Sequence, residues 1–289
     1  MDIVFVHGRA QGGRTGDLDT LKQEWLDGLH EGFKRAGVEA PASGKVRLPF
    51  YGARLDELTE ALAERVVLVD ERGGPASDAD IDPLEAAIIE RLAERAGVTE
   101  DDVRAELDAG ILQRGPENWE WVRATARALF KKAPWVAALG IGRFTADVNA
   151  YLTRPHIRAA IHEIVSPAIT GRPCVVVAHS LGTIVAYWLL AEDLAGAEVP
   201  LLVTAGCPLG IDAIKNRLPR PRKFPLGVDH WLNVADEHDP VALYARLDRR
   251  TFLEGIENLS DIDNGDQPHS IRRYLADTTV ASRIAQALS

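Results

Sequence analysis

Residues Val175–Trp188 read VVVAHSLGTIVAYW. Three β-branched residues, Val175, Val176 and Val177, run into Ala178-His179-Ser180-Leu181-Gly182, and an apolar, helix-compatible run follows from Thr183 to Leu190. The order predicts strand, tight turn and helix, with a serine at the apex of the turn. This is the G-x-S-x-G elbow with Ala178 in place of the first glycine. The small residues have a physical purpose. A serine at such an apex adopts a strained backbone, and bulk two residues to either side would strike the strand and the helix. The helix behind it points the positive end of its dipole at the turn, which favours developing negative charge there. The same five residues also fit an ordinary tight turn, so the reading depends on what the rest of the chain supplies.

Strand signals lie on both sides of this stretch. Ile3–Val6 is a short apolar run suited to a buried parallel strand, and it ends in the glycine-rich turn His7-Gly8-Arg9-Ala10-Gln11-Gly12-Gly13. That turn contains neither G-K-[ST] nor G-x-G-x-x-G, so P-loop and dinucleotide readings fail. Val46–Phe50, Leu201–Ala205 and Trp231–Val234 read as further strands, and Phe252 to about Ile256 as the last. Helical spacing is predicted over Asp19–Ala36, where Leu21, Trp25, Leu29 and Phe33 recur on one face. It is also predicted over Phe144–Ile169 as one long helix, and over Ser270–Leu288. Strands alternating with helices imply an α/β fold with a mostly parallel sheet.

Residues 55–143 differ in character, being rich in Ala, Glu and Arg with few β-branched runs. Helical patterns cover Leu55–Val69, Pro83–Ala96, Thr99–Leu107 and Pro116–Lys132. Thr99 and Asp102 form a capping-box-like start, with Asp where Glu or Gln is usual. Gly73-Gly74-Pro75 and the acidic stretch Ser77–Asp82 read as a loop. The expectation is one domain over 1–289 carrying a helical insertion at 55–143. An independent second domain is the alternative reading of that region.

The 289 residues carry a net charge of −10, which argues against a general nucleic-acid binder, since backbone phosphates need a basic surface. The two cysteines, Cys174 and Cys207, read as free core thiols and suggest a reducing compartment. The chain shows no signal-peptide pattern and no apolar run of membrane-spanning length, so a cytoplasmic protein is expected. No metal site is expected: His156 and His162 lie six apart, not at the i, i+4 zinc spacing.

In parallel sheets, ligands bind beyond the carboxyl ends of the strands. His7-Gly8, Ser180, Gly206, Asp239 and His269 all follow predicted strands and should gather at one rim. Ser, then Asp, then His is the chain order of one family of elbow enzymes. Here the sequence resembles the α/β-hydrolases of the serine esterase and lipase type. The resemblance rests on His7-Gly8, Ala178–Gly182, the run Thr204–Gly210, the stretch from Asn233 to Asp239-Pro240-Val241, and the late His269. It covers both ends of the chain and not the insertion. Two departures stand out: Ala178 at the elbow, and the lack of two leading strands, which implies a trimmed sheet of about six.

The resemblance implies Ser180 as nucleophile and His269 as its general base. Asp239 would orient the histidine, with Asp236 as rival because it lies nearer the strand end. Asp239 is preferred because D-P-V after a strand resembles the acid motif of lipases. Among the other histidines, His7 and His179 occupy structural turn positions. His30, His156 and His162 lie on predicted helices, His230 opens a strand, and His238 neighbours the acid. The oxyanion donors would be the N–H groups of Leu181 and Arg9, with Ala10 an alternative to Arg9. Two segments stand where caps are expected: the insertion, whose Trp119, Trp121, Phe130 and Trp135 fit an acyl pocket or a helix core, and the basic loop Ile211–Leu226. Its Lys215–Lys223 cluster fits an anionic head group or a solvated loop. The expected activity is cleavage of a small-molecule or lipid ester, without cofactor. Amide cleavage, acyl transfer, and a non-catalytic binding role on the same scaffold remain alternatives. The sequence leaves transient contact with a membrane surface, and the oligomeric state, open.

Overall fold

The computed structural model describes residues 1–8, 18–39, 44–63, 83–107, 119–133 and 141–289. Six strands form one all-parallel sheet: β1 (Asp2–Val6), β2 (Val46–Arg47), β3 (Cys174–His179), β4 (Val199–Ala205), β5 (Val228–Asp236) and β6 (Glu257–Ile262). The spatial order is β2-β1-β3-β4-β5-β6. The chain therefore steps outward from β1 to β2, returns to β3 on the other side of β1, and winds on to β6. The winding reverses between β1 and β3, where register pairs Val4 with Val176 and Val6 with Ala178.

The central strands read as continuous apolar runs because both faces are covered. Every residue of β1 and of β3 is buried. One face carries α1 (Leu18–Ala36), α10 (Ile271–Leu275) and α11 (Thr278–Leu288). There Trp25, Leu29 and Phe33 of α1 meet Ile3, Phe5, Val175 and Val177, with Tyr274 and Ile284 from the C-terminal helices. The spacing of Trp25, Leu29 and Phe33 is thus the packed face that the sequence predicts, with Leu21 at its margin. Cys174 and Cys207 are buried and unbridged.

Contacts divide the described chain into two compact units. One takes in the described residues of 1–54 with Arg158–Ser289, and the other those of Leu55–Ile157. The second unit is helical: α2 (Gly52–Ala63) for most of its length, α3 (Pro83–Arg95), α4 (Glu100–Arg104), α5 (Trp119–Lys132) and α6 (Ile141–Thr153). Within it, Ala86 and Ile89 of α3 pack on Val122 and Ala126 of α5. Val103 of α4 packs on Trp121, Ala124 and Ala128. The Thr99 start is a working capping box: Asp102 N–H donates to Thr99 Oγ1 at 3.2 Å and Thr99 N–H to Asp102 Oδ2 at 2.7 Å. The shorter aspartate thus does the reciprocal capping usual for Glu. Gly73-Gly74-Pro75 and Ser77–Asp82 lie outside the described residues.

Several boundaries differ from the sequence reading. The helix expected over Phe144–Ile169 is two, α6 and α7 (Pro155–Ile169), because Pro155 disfavours a helical Arg154 before it. The C-terminal helix is also two, since Asp277 accepts N–H bonds from Thr279 and Val280 and so caps a new start. The last strand is Glu257–Ile262 rather than Phe252–Ile256: Phe252 is instead a core residue whose ring meets Trp231 and Tyr187. β2 is only Val46–Arg47, an edge pairing with Ile3 and Val4.

Candidate active site

Ser180 directly follows β3, with α8 (Leu181–Trp188) directly behind it. Its φ of 56° and ψ of −128° make it the only non-glycine residue at positive φ among those described. Such a backbone costs about 1–3 kcal/mol and persists only where the surroundings enforce it. Here they do. Ser180 N–H donates to Ala205 of β4 at 3.1 Å, and the Ser180 carbonyl accepts from Thr183 N–H and Thr183 Oγ1. Gly182 lies against β1 so closely that a Cβ would stand 2.1 Å from the Val6 carbonyl oxygen. The Ser180 side chain does not cap the helix it precedes, although serine is a favoured cap. The N–H of Leu181 is among the first-turn groups that lack an intrahelical acceptor.

His269 enters from the loop between β6 and α10. Its Nδ1–H donates to Asp239, at 2.9 Å from Oδ1 and 2.8 Å from Oδ2. Both residues are buried. Asp239 lies three residues beyond β5 and also accepts from Val241 N–H at 2.8 Å, Ala242 N–H at 3.3 Å and the Tyr274 hydroxyl at 2.7 Å. Burial alone would raise its pKa. The His269 charge and the bonds from His269, Tyr274 and Val241 outweigh burial and hold the carboxyl below its usual range. Gly206, at φ 56°, lets the pair come close: a Cβ there would stand 2.8 Å from both Asp239 Oδ2 and His269 Nδ1.

Asp236, the rival acid, does not face His269. Its carboxylate accepts from His238 N–H at 2.6 Å and Asn264 N–H at 2.7 Å, tying the end of β5 to the loop that carries His269. His179 packs its ring on that of His269, centroids 4.4 Å apart, and its Nε2–H donates to the His269 carbonyl at 3.1 Å. Burial and the neighbouring His269 push His179 well below the usual histidine range, so it stays neutral. His7 accepts from Tyr51 N–H at Nε2, 3.2 Å, and donates from Nδ1 to the Gly8 carbonyl. Its ring stacks on Phe50 and Tyr51, and burial lowers its pKa to about 4. Both histidines are turn supports, as their sequence positions suggest.

Gly8 brings the β1 turn against the serine. A Cβ at Gly8 would lie 2.6 Å from Ser180 Cβ and 3.2 Å from its Oγ. Arg9 and Ala10, the expected second oxyanion donors, lie outside the described residues, as do Trp135 and the side chain of Trp119. Trp121 and Phe130 belong to the helix packing of the second unit. In the basic loop, which holds the short α9 (Asp212–Lys215), Lys215 pairs with Asp212 at 2.6 Å and Lys223 with Glu192 at 3.3 Å, while Arg220 bonds Asn216.

Tyr274 is the candidate-site residue that the sequence reading missed. It occupies an apolar helical position, and nothing in local spacing marks its hydroxyl for a partner on another element. Among the described residues, no group of three or more His, Cys, Asp or Glu side chains is placed to hold a metal ion, and no helix is long and apolar enough to cross a membrane. Comparison with family models, curated proteins and solved structures finds no match.

Proposed function

We propose that this protein is a serine hydrolase of the α/β-hydrolase type, cleaving a carboxylic ester through an acyl-enzyme on Ser180. One observation carries the reading. A serine forced to φ 56° at the end of β3, beside the reversal of winding between β1 and β3, bonds through its N–H to Ala205 at the end of β4, and the buried His269–Asp239 pair packs against Gly206, the next residue. That reversal is where open parallel sheets bind ligands.

In this reading Ser180 Oγ attacks the ester carbonyl carbon and His269 Nε2 takes the hydroxyl proton. Asp239, bonded at Nδ1, fixes the ring tautomer and stabilises the imidazolium. The N–H of Leu181 holds the oxyanion, a donor worth about 3 kcal/mol in the transition state. His269 then protonates the departing alcohol, and water repeats the sequence to release the acid.

The test is intact mass after treatment with a fluorophosphonate, comparing wild type with Ser180→Ala and His269→Ala. One adduct on wild type, absent from Ser180→Ala and strongly slowed in His269→Ala, is the expected result. A wild type that takes no adduct, or an adduct that survives Ser180→Ala, removes the assignment.

A further inference from the structure

The Tyr274 hydroxyl has two partners. It donates to Asp239 Oδ2 at 2.7 Å and accepts from the backbone N–H of Asp236 at 2.9 Å. Both partners follow from its place on α10, one turn beyond His269. The accepted bond orients the hydroxyl: with Asp236 N–H pointing at its lone pair, its proton is aimed at the carboxylate. Asp236 is in turn held by His238 N–H and by Asn264 N–H, and Asn264 Nδ2 donates to the Pro268 carbonyl, one residue before His269. Tyr274, Asp236 and Asn264 thus connect the acid, the end of β5 and the histidine loop through buried and part-buried bonds.

Resting on the serine hydrolase reading, we propose that Tyr274 is a positioning residue that sets how strongly Asp239 draws on the His269 proton, and so sets the pH range in which Ser180 reacts. The physics is competition for one carboxylate. Oδ2 accepts from both the phenol and the imidazole, 2.7 Å and 2.8 Å away. Charge drawn toward the phenol is unavailable to the imidazolium. Removing the phenol leaves a more basic carboxylate, which favours protonated His269 and disables the base at low pH. Among the described residues, the other titratable groups around the pair are His179 at the end of β3, Cys207 after β4 and Asp236 at the end of β5.

The experiment follows the fluorophosphonate labelling rate against pH in wild type, Tyr274→Phe, and a protein carrying a ring-fluorinated tyrosine at 274. The last keeps the hydroxyl and nearly the size, and donates more strongly. The acid limb should move up in Tyr274→Phe by about one pH unit, the scale on which one hydrogen bond alters a carboxylate. In the fluorinated protein it should move down. A residue that served only packing would lower the rate without moving the limb. Limbs unmoved in both proteins overturn the proposal while leaving the hydrolase reading intact. If Tyr274→Phe does not fold, the fluorinated protein decides alone. A wild type that is never labelled at Ser180 overturns both.

Discussion

Two aspartates three residues apart have hydrogen bonds that give them different tasks, and substitution should separate them. Asp239 is the partner of His269 Nδ1, whereas Asp236 accepts N–H bonds from His238 and Asn264. Asp239→Asn would keep the shape and turn an amide N–H toward the imidazole in place of an acceptor, favouring the wrong tautomer. Ester turnover should fall on the order of 10⁴-fold, with the fold retained. Asp236→Asn removes the charge from both bonds and leaves one of the two N–H donors, of His238 or Asn264, without an acceptor, so it should lower stability by about 1–3 kcal/mol. Its turnover should fall far less than that of Asp239→Asn. Steady-state kinetics and urea unfolding on both variants check this, and a larger kinetic loss in Asp236→Asn would reverse the assignment. The preference for Asp239 was legible in the sequence only through the D-P-V resemblance. The geometric reason, that the Asp236 carboxylate is already occupied, depends on a loop 28 residues downstream.

At the scale of elements, the two glycines beside the serine have distinct requirements. Gly182 stands where the first turn of α8 crosses β1, and a methyl group there would meet the Val6 and His7 carbonyl oxygens at 2.1 and 2.6 Å. Backbone cannot step aside cheaply, so Gly182→Ala should lose about 3 kcal/mol or more, above the usual range for overpacking. Gly206→Ala meets side-chain atoms of Asp239 and His269 instead, and adds strain at positive φ. It should be milder in stability, about 1–2 kcal/mol, but severe in labelling rate, because the pair must move. Denaturation midpoints and fluorophosphonate rates for the two variants should therefore rank in opposite orders. The same contrast explains what sequence reading resolves. Strand–turn–helix around Ser180 is local, and its small residues reveal its geometry. The breaks at Pro155 and Asp277 are local too and went unread because apolar periodicity continues across them. β6 escaped because ENLSDI is polar and half-buried, without the apolar run that marks its neighbours.

At the scale of the molecule, a sheet buried on both faces places histidines where protonation is costly, and this sets a pH dependence of stability. Burial lowers His7 to about 4 from 6.5, and lowers His179 and His162 as well. A histidine with a depressed folded-state pKa binds fewer protons than the unfolded chain does between the two values, so stability falls as pH drops through that window. For His7 alone, about 2.5 pH units at 1.36 kcal/mol each amounts to roughly 3 kcal/mol. Asp239 acts lower: its contribution is present above the ordinary carboxylate range and is lost as pH falls through its depressed value. The histidines dominate between pH 6.5 and 4, so thermal midpoints should drop continuously on acidification from pH 7 to 5, before most carboxylates titrate. His7→Gln keeps one donor and one acceptor for Gly8 and Tyr51 but cannot take up the proton. It should be less stable than wild type at pH 7.5 and show a flatter slope between pH 7 and 5. A wild-type midpoint constant across that interval, or a His7→Gln slope equal to wild type, would mean that the turn opens and hydrates His7 before the sheet unfolds.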